Sequence, residues 1–192
     1  MQDESHGTPP RRRKVAAVAL ALGLVVAVGV VAFINRPWVS ESAAPGALGM
    51  LDASAPEPGG LAPNFALTDQ NGNRVELADF HGSPVFLNFW ADWCAFCKEE
   101  MPDMQRIAEH FDGALVVLGV NTGDSVATGE RFAARAGVEY PRLYDLDLQV
   151  TEGYRVQAMP TSYFIDAEGR IAAFSFGVMT YDQMLNKVQA LL

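Results

Sequence analysis

Cysteine is scarce in this chain: Cys94 and Cys97 are its only two. One bridge is the most it can form, so a disulfide-rich scaffold is excluded. Histidine is nearly as rare, and His6, His81 and His110 are scattered without ligand spacing. A zinc centre needs about four ligands, so no metal site is expected and no cofactor is called for. Basic side chains are short as well: 14 Lys and Arg face 23 Asp and Glu, a formal net charge of -9. Phosphate binding needs a basic face, which argues against a nucleic-acid partner. The deficit is uneven. Residues 1–60 carry five basic and five acidic side chains, so the acid excess belongs to residues 61–192, where it reads as a solubilising surface.

Charge is missing altogether from Val15 to Ile34, 20 residues that are all apolar or Gly. A helix of that length reaches about 30 Å, the thickness of a bilayer's hydrocarbon core, so a transmembrane signal-anchor is expected over 15–34. The preceding segment 1–14 ends in Arg11-Arg12-Arg13-Lys14, while only Arg36 follows closely. That asymmetry keeps 1–14 cytoplasmic and sends the rest across the membrane, to a compartment where disulfide chemistry is common. Trp38 suits an interfacial anchor. A cleavable signal peptide competes, with Ser42-Ala43-Ala44 as its cleavage site, but its apolar stretch is normally about 7–15 residues. The arginines also invite a twin-arginine export reading, although topology alone accounts for them. Residues 35–60 hold Pro37, Pro45, Pro56 and Pro58 among Ala, Gly and Ser, and show no helical or strand period; they read as a linker.

Residues 61–192 alternate strand and helix signals. Phe65-Ala66-Leu67 and Arg74-Val75-Glu76-Leu77 flank Asn71-Gly72, a β-hairpin pattern. The apolar run Val85 to Trp90 reads as a strand, and Met101, Met104, Ile107, Ala108 and Phe111 then recur at helical spacing. Ala114 to Val120 is a near-continuous apolar run, as in a strand buried on both faces. Asp124 or Ser125 caps a helix that ends near Gly137, a short strand lies within Pro141 to Asp145, and a short helix within Leu148 to Tyr154. Thr161 to Asp166 and Ile171 to Phe176 make a strand pair. Thr180-Tyr181-Asp182-Gln183 is a capping box opening a last helix with Tyr181, Met184, Leu185, Val188 and Leu192 in one stripe. The sum is an α/β fold, a mixed sheet with helices on both faces.

The two cysteines fall where the first central strand gives way to a helix, in Phe89-Trp90-Ala91-Asp92-Trp93-Cys94-Ala95-Phe96-Cys97-Lys98. Free N–H groups and the helix dipole favour negative charge there and lower a thiol's pKa. Cys94, at the helix mouth, is the expected nucleophile, and Cys97, one turn in, the more buried resolving thiol. A purely structural bridge over so short a loop would constrain little of the unfolded chain. Glu100 lies three residues after Cys97 on the same helix face. Buried there, it would have a raised pKa and could exchange a proton with the resolving thiol; solvated, it would be an ordinary first-turn acid, as Glu99 is. Met159-Pro160-Thr161, just before a strand, is equally readable as an ordinary X-Pro turn. Trp93 reads as an apolar wall beside Cys94, Trp90 as core, and Pro102 as a kink in the redox helix.

The run FLNFWADWCAFCKEEMP resembles the active-site segment of thioredoxin-fold proteins, and within them the TlpA/ResA-like membrane-anchored thiol-disulfide oxidoreductases. Trp before the first Cys, Lys98 after the second, Pro102 and the late Met-Pro-Thr carry the likeness, which spans residues 61 to 192. Phe96 departs from it, because many relatives have proline before the second cysteine. The resemblance implies a thioredoxin-like domain with an N-terminal β-hairpin and a redox-active Cys94/Cys97 dithiol. It also implies a cis-proline loop at Met159, Pro160 and Thr161 that takes up an extended substrate strand, and a proton-relay role for Glu100. Thioredoxin's buried Asp below the site is Asn88 here, which leaves Glu100 as the acid. The implied activity is reduction of protein disulfides, with apocytochrome c as a substrate before haem attachment. Electrons would come from a membrane thiol carrier of the CcdA/DsbD type. A peroxide-reducing redoxin shares the fold, and a non-enzymatic tethered chaperone module would use the same groove without the thiols. Ala95 and Phe96 offer the thiolate no charged or side-chain donor, which favours a reducing poise.

Overall fold

The computed structural model describes residues 56–192. The expected span over 15–34 and most of the linker lie outside them; no helix among the described residues is long and apolar enough to cross a membrane. Strand β1 (Ala66–Asp69) and β2 (Arg74–Glu76) form the hairpin. Its turn is held by Asp69, whose Oδ1 accepts from the Asn71 and Asn73 N–H groups at 2.8 Å each. A single 3-10 turn, Leu77–Phe80, leads into β3 (Val85–Trp90). Then follow α1 (Ala95–His110), β4 (Val116–Thr122), α2 (Val126–Ala136), β5 (Arg142–Asp145) and α3 (Gln149–Gly153). The chain closes with β6 (Thr161–Ile165), β7 (Ile171–Phe176) and α4 (Tyr181–Gln189).

All seven strands lie in one sheet of order β2-β1-β5-β4-β3-β6-β7. The β3-β4 and β4-β5 pairs are parallel and the others antiparallel, so the sheet is mixed as expected. Alternation along β3 sorts the core into two layers. Phe86 and Trp90 join Met101, Met104, Ile107, Phe132, Met184 and Val188 beneath α1, α2 and α4. Val85, Leu87 and Phe89 face the other way, onto Phe65, Leu143, Val150 and Tyr154. Every residue of β3 is buried, which is why it reads as a continuous apolar run.

Three details differ from the sequence reading. Strand β4 starts at Val116, two residues late, because the Ala114 and Leu115 N–H groups both donate to Phe111 O and close the end of α1. Helix α1 continues unbroken past Pro102. Gly59 and Gly60, at the end of the stretch read as a linker, already hydrogen-bond Ile171. Elsewhere the signals hold. Ser125 rather than Asp124 caps α2, its side chain accepting from Thr128 N, and Gly137 ends that helix at φ 71. The Thr180–Gln183 capping box opens α4.

Close packing makes one glycine testable. A Cβ on Gly129 in α2 would lie 2.6 Å from Tyr144 Cε1, on a ring whose hydroxyl donates to Glu130 Oε1 at 2.6 Å. Glycine to alanine inside a helix normally stabilises by about 1 kcal/mol. Here overpacking outweighs that gain, and Gly129→Ala is expected to lower stability by about 1–3 kcal/mol in urea unfolding.

Candidate active site

The site is built at the end of β3. Ala91 to Cys94 form a turn closed by the Cys94 N–H donating to Ala91 O at 3.1 Å. Cys94 then serves as N-cap of α1: its Sγ accepts the Cys97 N–H at 3.0 Å, and its carbonyl begins the helix. The two sulfurs are joined as a disulfide. Both cysteines are buried, Cys97 fully, and both belong to the cluster that contains Trp90 and Met101. Trp93 stands apart from that cluster at 70 % exposure, beside an equally prominent Phe96 at 61 %. Trp93 is thus a raised apolar contact next to the disulfide, and the burial of Cys94 comes from the core itself. Trp90 is core, stacked on Phe132 with ring centroids 5.5 Å apart.

Strand register brings the remaining candidates to the same end. Phe89 pairs with Thr161, and Thr161 with Phe176. The Met159–Pro160 peptide is therefore level with the turn after β3, and it is cis. Thr161 Oγ1 donates to Ala158 O at 2.6 Å and the Gly177 N–H to Pro160 O at 2.8 Å, which pins the loop from both sides. Among the described residues nothing takes up the Met159 N–H or carbonyl, so both are open to an incoming strand.

A second anchor was not legible as such in the sequence. Asp124, at the β4–α2 junction, accepts the Asp92 N–H at 2.7 Å and the Asn121 Nδ2–H at 2.8 Å through one oxygen, Oδ2. Asn121, buried and paired with Trp90 across β3–β4, returns the contact by accepting the Asp124 N–H at 3.1 Å. The second residue of the cysteine turn is thereby tied to the neighbouring strand. Desolvation, then the hydrogen bond and charge of Asp124, raise the Asp92 carboxyl above the ordinary carboxylate range. An apolar cleft of about 170 Å³ between Leu61, Leu77, Phe80, Val85 and Ile165 lies at the other end of β3 and has no part in this chemistry. Among the described residues no group of metal-ligating side chains forms.

Glu100 is buried at 1 % exposure. Its Oε1 accepts from Asn88 Nδ2 at 2.8 Å and its Oε2 from the Met179 N–H at 3.0 Å. Asn88 also donates to Ser162 Oγ at 2.9 Å, which leaves its own Oδ1 buried without a partner in the chain. Burial raises the Glu100 pKa to about 7, against the smaller opposing pull of the Met179 and Asn88 hydrogen bonds. Tyr140, pushed far up by its own burial and by Glu100, stays a neutral phenol in the same pocket. In the unfolded chain the Glu100 carboxyl titrates near 4.5. Above that pH the unfolded state sheds a proton that the folded state keeps, so stability falls as pH rises towards about 7. The loss attributable to Glu100 is about 3 kcal/mol at about 1.4 kcal/mol per unit. Glu100→Gln is expected to flatten this slope in the oxidised protein, read as urea-unfolding free energy between pH 4.5 and 8; an unchanged slope would place the titration elsewhere.

Comparison with known proteins agrees with this geometry. The family profile described as AhpC/TSA family matches residues 58–174. The chain is 42 % identical over 123 residues to the thiol-disulfide oxidoreductase ResA of Bacillus subtilis, covering 64 % of this chain and 69 % of that one. It is 32 % identical over 182 residues to ResA of Geobacillus kaustophilus, covering 94 % and 97 %. Among solved structures it resembles a putative thiol:disulfide interchange protein DsbE from Chlorobium tepidum, with a TM-score of 0.67, 30 % identity, and coverage of 72 % of this chain and 99 % of that one. A secreted Mycobacterium tuberculosis disulfide oxidoreductase matches with a TM-score of 0.62 and 28 % identity over 66 % and 96 %. With the cysteine pair at a strand–helix junction, these likenesses place the chain in the AhpC/TSA family, as a ResA-like thiol-disulfide oxidoreductase of the thioredoxin superfamily.

Proposed function

We propose that the protein reduces disulfides of other proteins outside the cytoplasm, tethered to the bacterial cell membrane by residues 15–34. The observation that carries the reading is the position of Cys94: N-cap of α1, with the Cys97 N–H already aimed at its sulfur. In the reduced protein that N–H and the helix dipole stabilise a Cys94 thiolate. The thiolate attacks a partner disulfide, forming a Cys94 mixed disulfide and releasing the partner's other sulfur as a thiolate. Cys97 then loses its proton to the Glu100 carboxylate, attacks Cys94 Sγ and expels the second partner sulfur. Two electrons pass to the partner, and the protein is left with its own disulfide. The open Met159 N–H and carbonyl, with Pro160 and Thr161 holding that loop and Trp93 beside it, receive the partner as an extended strand.

Residues 56–192 contain Cys94 and Cys97 alone as thiols, so re-reduction requires an external dithiol. A membrane thiol carrier of the CcdA/DsbD type supplies it in this reading, and apocytochrome c before haem attachment is the proposed substrate. The charge pattern around residues 1–34 supports the extracytoplasmic placement. The peroxide-reducing alternative gains nothing from the site, where the partner of Cys94 is Cys97 in the next helical turn.

Trapping tests the order of events. Cys97→Ala, reduced and mixed with oxidised insulin, is expected to accumulate a mixed disulfide through Cys94, while Cys94→Ser accumulates none. Capture through Cys97, or consumption of hydrogen peroxide with insulin left intact, would overturn the scheme. The proton relay has its own signature. In the wild type the resolving step is expected to quicken as pH rises through about 7, where Glu100 becomes a base. Glu100→Gln should abolish that rise in stopped-flow decay of the mixed disulfide while attack by Cys94 is unaffected.

A further inference from the structure

Six of the eight large apolar side chains exposed among the described residues crowd the disulfide end of the molecule. Trp93 and Phe96 lie beside and between the cysteines, and Phe176 ends β7 and Val178 follows it on either side of Gly177, which bonds Pro160. Leu146 at 61 % and Leu148 at 38 % exposure lie on the opposite flank, on the β5–α3 tip, which no part of the proposed exchange uses. Register sets their height. Trp90 pairs with Asn121 and Thr122 with Asp145, so the Ala91–Cys94 turn and the Leu146–Leu148 tip leave the same end of the sheet, two strands apart.

The tip is a built feature. Buried Asp145 fixes it by accepting from the Thr151 N–H at 2.7 Å and from Thr151 Oγ1 at 2.6 Å. Leu148 adopts φ 64, a left-handed conformation that a leucine occupies only at a cost in backbone strain. Its Cδ2 lies 3.2 Å from the place a Cβ on Gly123 would take, so the absence of that side chain makes room for it. Gly123 precedes Asp124, whose carboxylate holds the Asp92 N–H of the cysteine turn. A strained, half-exposed leucine is thus seated on the residue next to the one that positions the disulfide. The ground between is acidic: Asp92 and Asp124 lie on the way and exposed Asp147 separates the two leucines, with Arg135 as the cation that reaches Asp92.

We infer that the Leu146–Leu148 tip is a docking arm for the substrate polypeptide, and that it selects an extended segment with a leucine-sized apolar residue two or four positions from the half-cystine, on the same face of the segment, and a basic residue between them. This rests on the disulfide-reductase reading above. Two strand spacings separate β3 from β5, about 10 Å, which falls between the reach of two and of four residues of extended chain at about 3.3 Å each. The acidic flank complements the basic residue, and exposed Leu146 and Leu148 offer the apolar contact beyond it.

The test uses the reduced protein and three disulfides: a cystine peptide carrying that lysine and leucine, the same peptide with serine for leucine, and hydroxyethyl disulfide, too small to reach the tip. The double variant Leu146→Ser with Leu148→Gly deletes both side chains, and glycine relieves the positive φ. Wild type is expected to show a KM about tenfold lower for the leucine peptide than for the serine peptide, the scale of one leucine-sized contact. The variant should lose that preference at unchanged kcat and reduce hydroxyethyl disulfide as the wild type does. No wild-type preference between the peptides, or a variant that keeps it, overturns the docking arm. So does a parallel loss on hydroxyethyl disulfide, which would make the tip structural. Failure of the wild type to reduce any of the three would instead sink the disulfide-reductase reading itself.

Discussion

The structure depends on one junction: a fully buried strand ends and a helix begins at Cys94, so that a sulfur takes the role usually filled by a Ser, Thr or Asp side-chain oxygen. The Cys97 N–H that satisfies the helix start is the same group that bonds the Cys94 sulfur, and its residue carries the second sulfur. Capping and redox geometry are therefore one interaction. Everything nearby keeps that junction in place. Trp90 is stacked on Phe132 beneath it, and Asp124 ties its turn to β4.

Beneath the junction the core accepts one ionisable group. A buried carboxyl is costly when charged, and Glu100 is satisfied by two donors that do not fully offset its desolvation. Asn88 is central to this balance. An aspartate there would set a second carboxyl against Glu100, whereas the amide donates to it and to Ser162 at once. The site thus holds a group whose proton is labile near neutrality without a second buried acid to compete with it.

Much of this was legible in the sequence because local chemistry and fold agree. Apolar runs gave β3 and β4, the Asn71-Gly72 hairpin and the Thr180 capping box are present, and the C-x-x-C spacing placed both sulfurs on one helical turn. The i, i+3 relation set Glu100 on one helix face with Cys97, and only the packed fold decided between a buried and a solvated carboxyl. Other features depend on contacts between distant segments. Asp124 and Ser125 were both candidates for the helix cap; Ser125 takes it and leaves the Asp124 carboxylate to reach Asp92, 32 residues away in the chain. Leu146 and Leu148 carried no motif, and only the sheet's strand order and register bring their tip to the same end as the cysteine turn. The exposure of Trp93 was also hidden, since an aromatic beside a reactive sulfur reads equally as a shield or as a contact surface.

The most direct measurement is the ionisation of Cys94 in the reduced protein, followed as the pH dependence of its alkylation by iodoacetamide. Placement at the helix mouth with the Cys97 N–H on its sulfur predicts half-ionisation clearly below the value of about 8.5 for a free thiol, with Cys97 unreactive over the same range. A Cys94 that ionises at or above 8.5, or a Cys97 that reacts first, would contradict the account at its root.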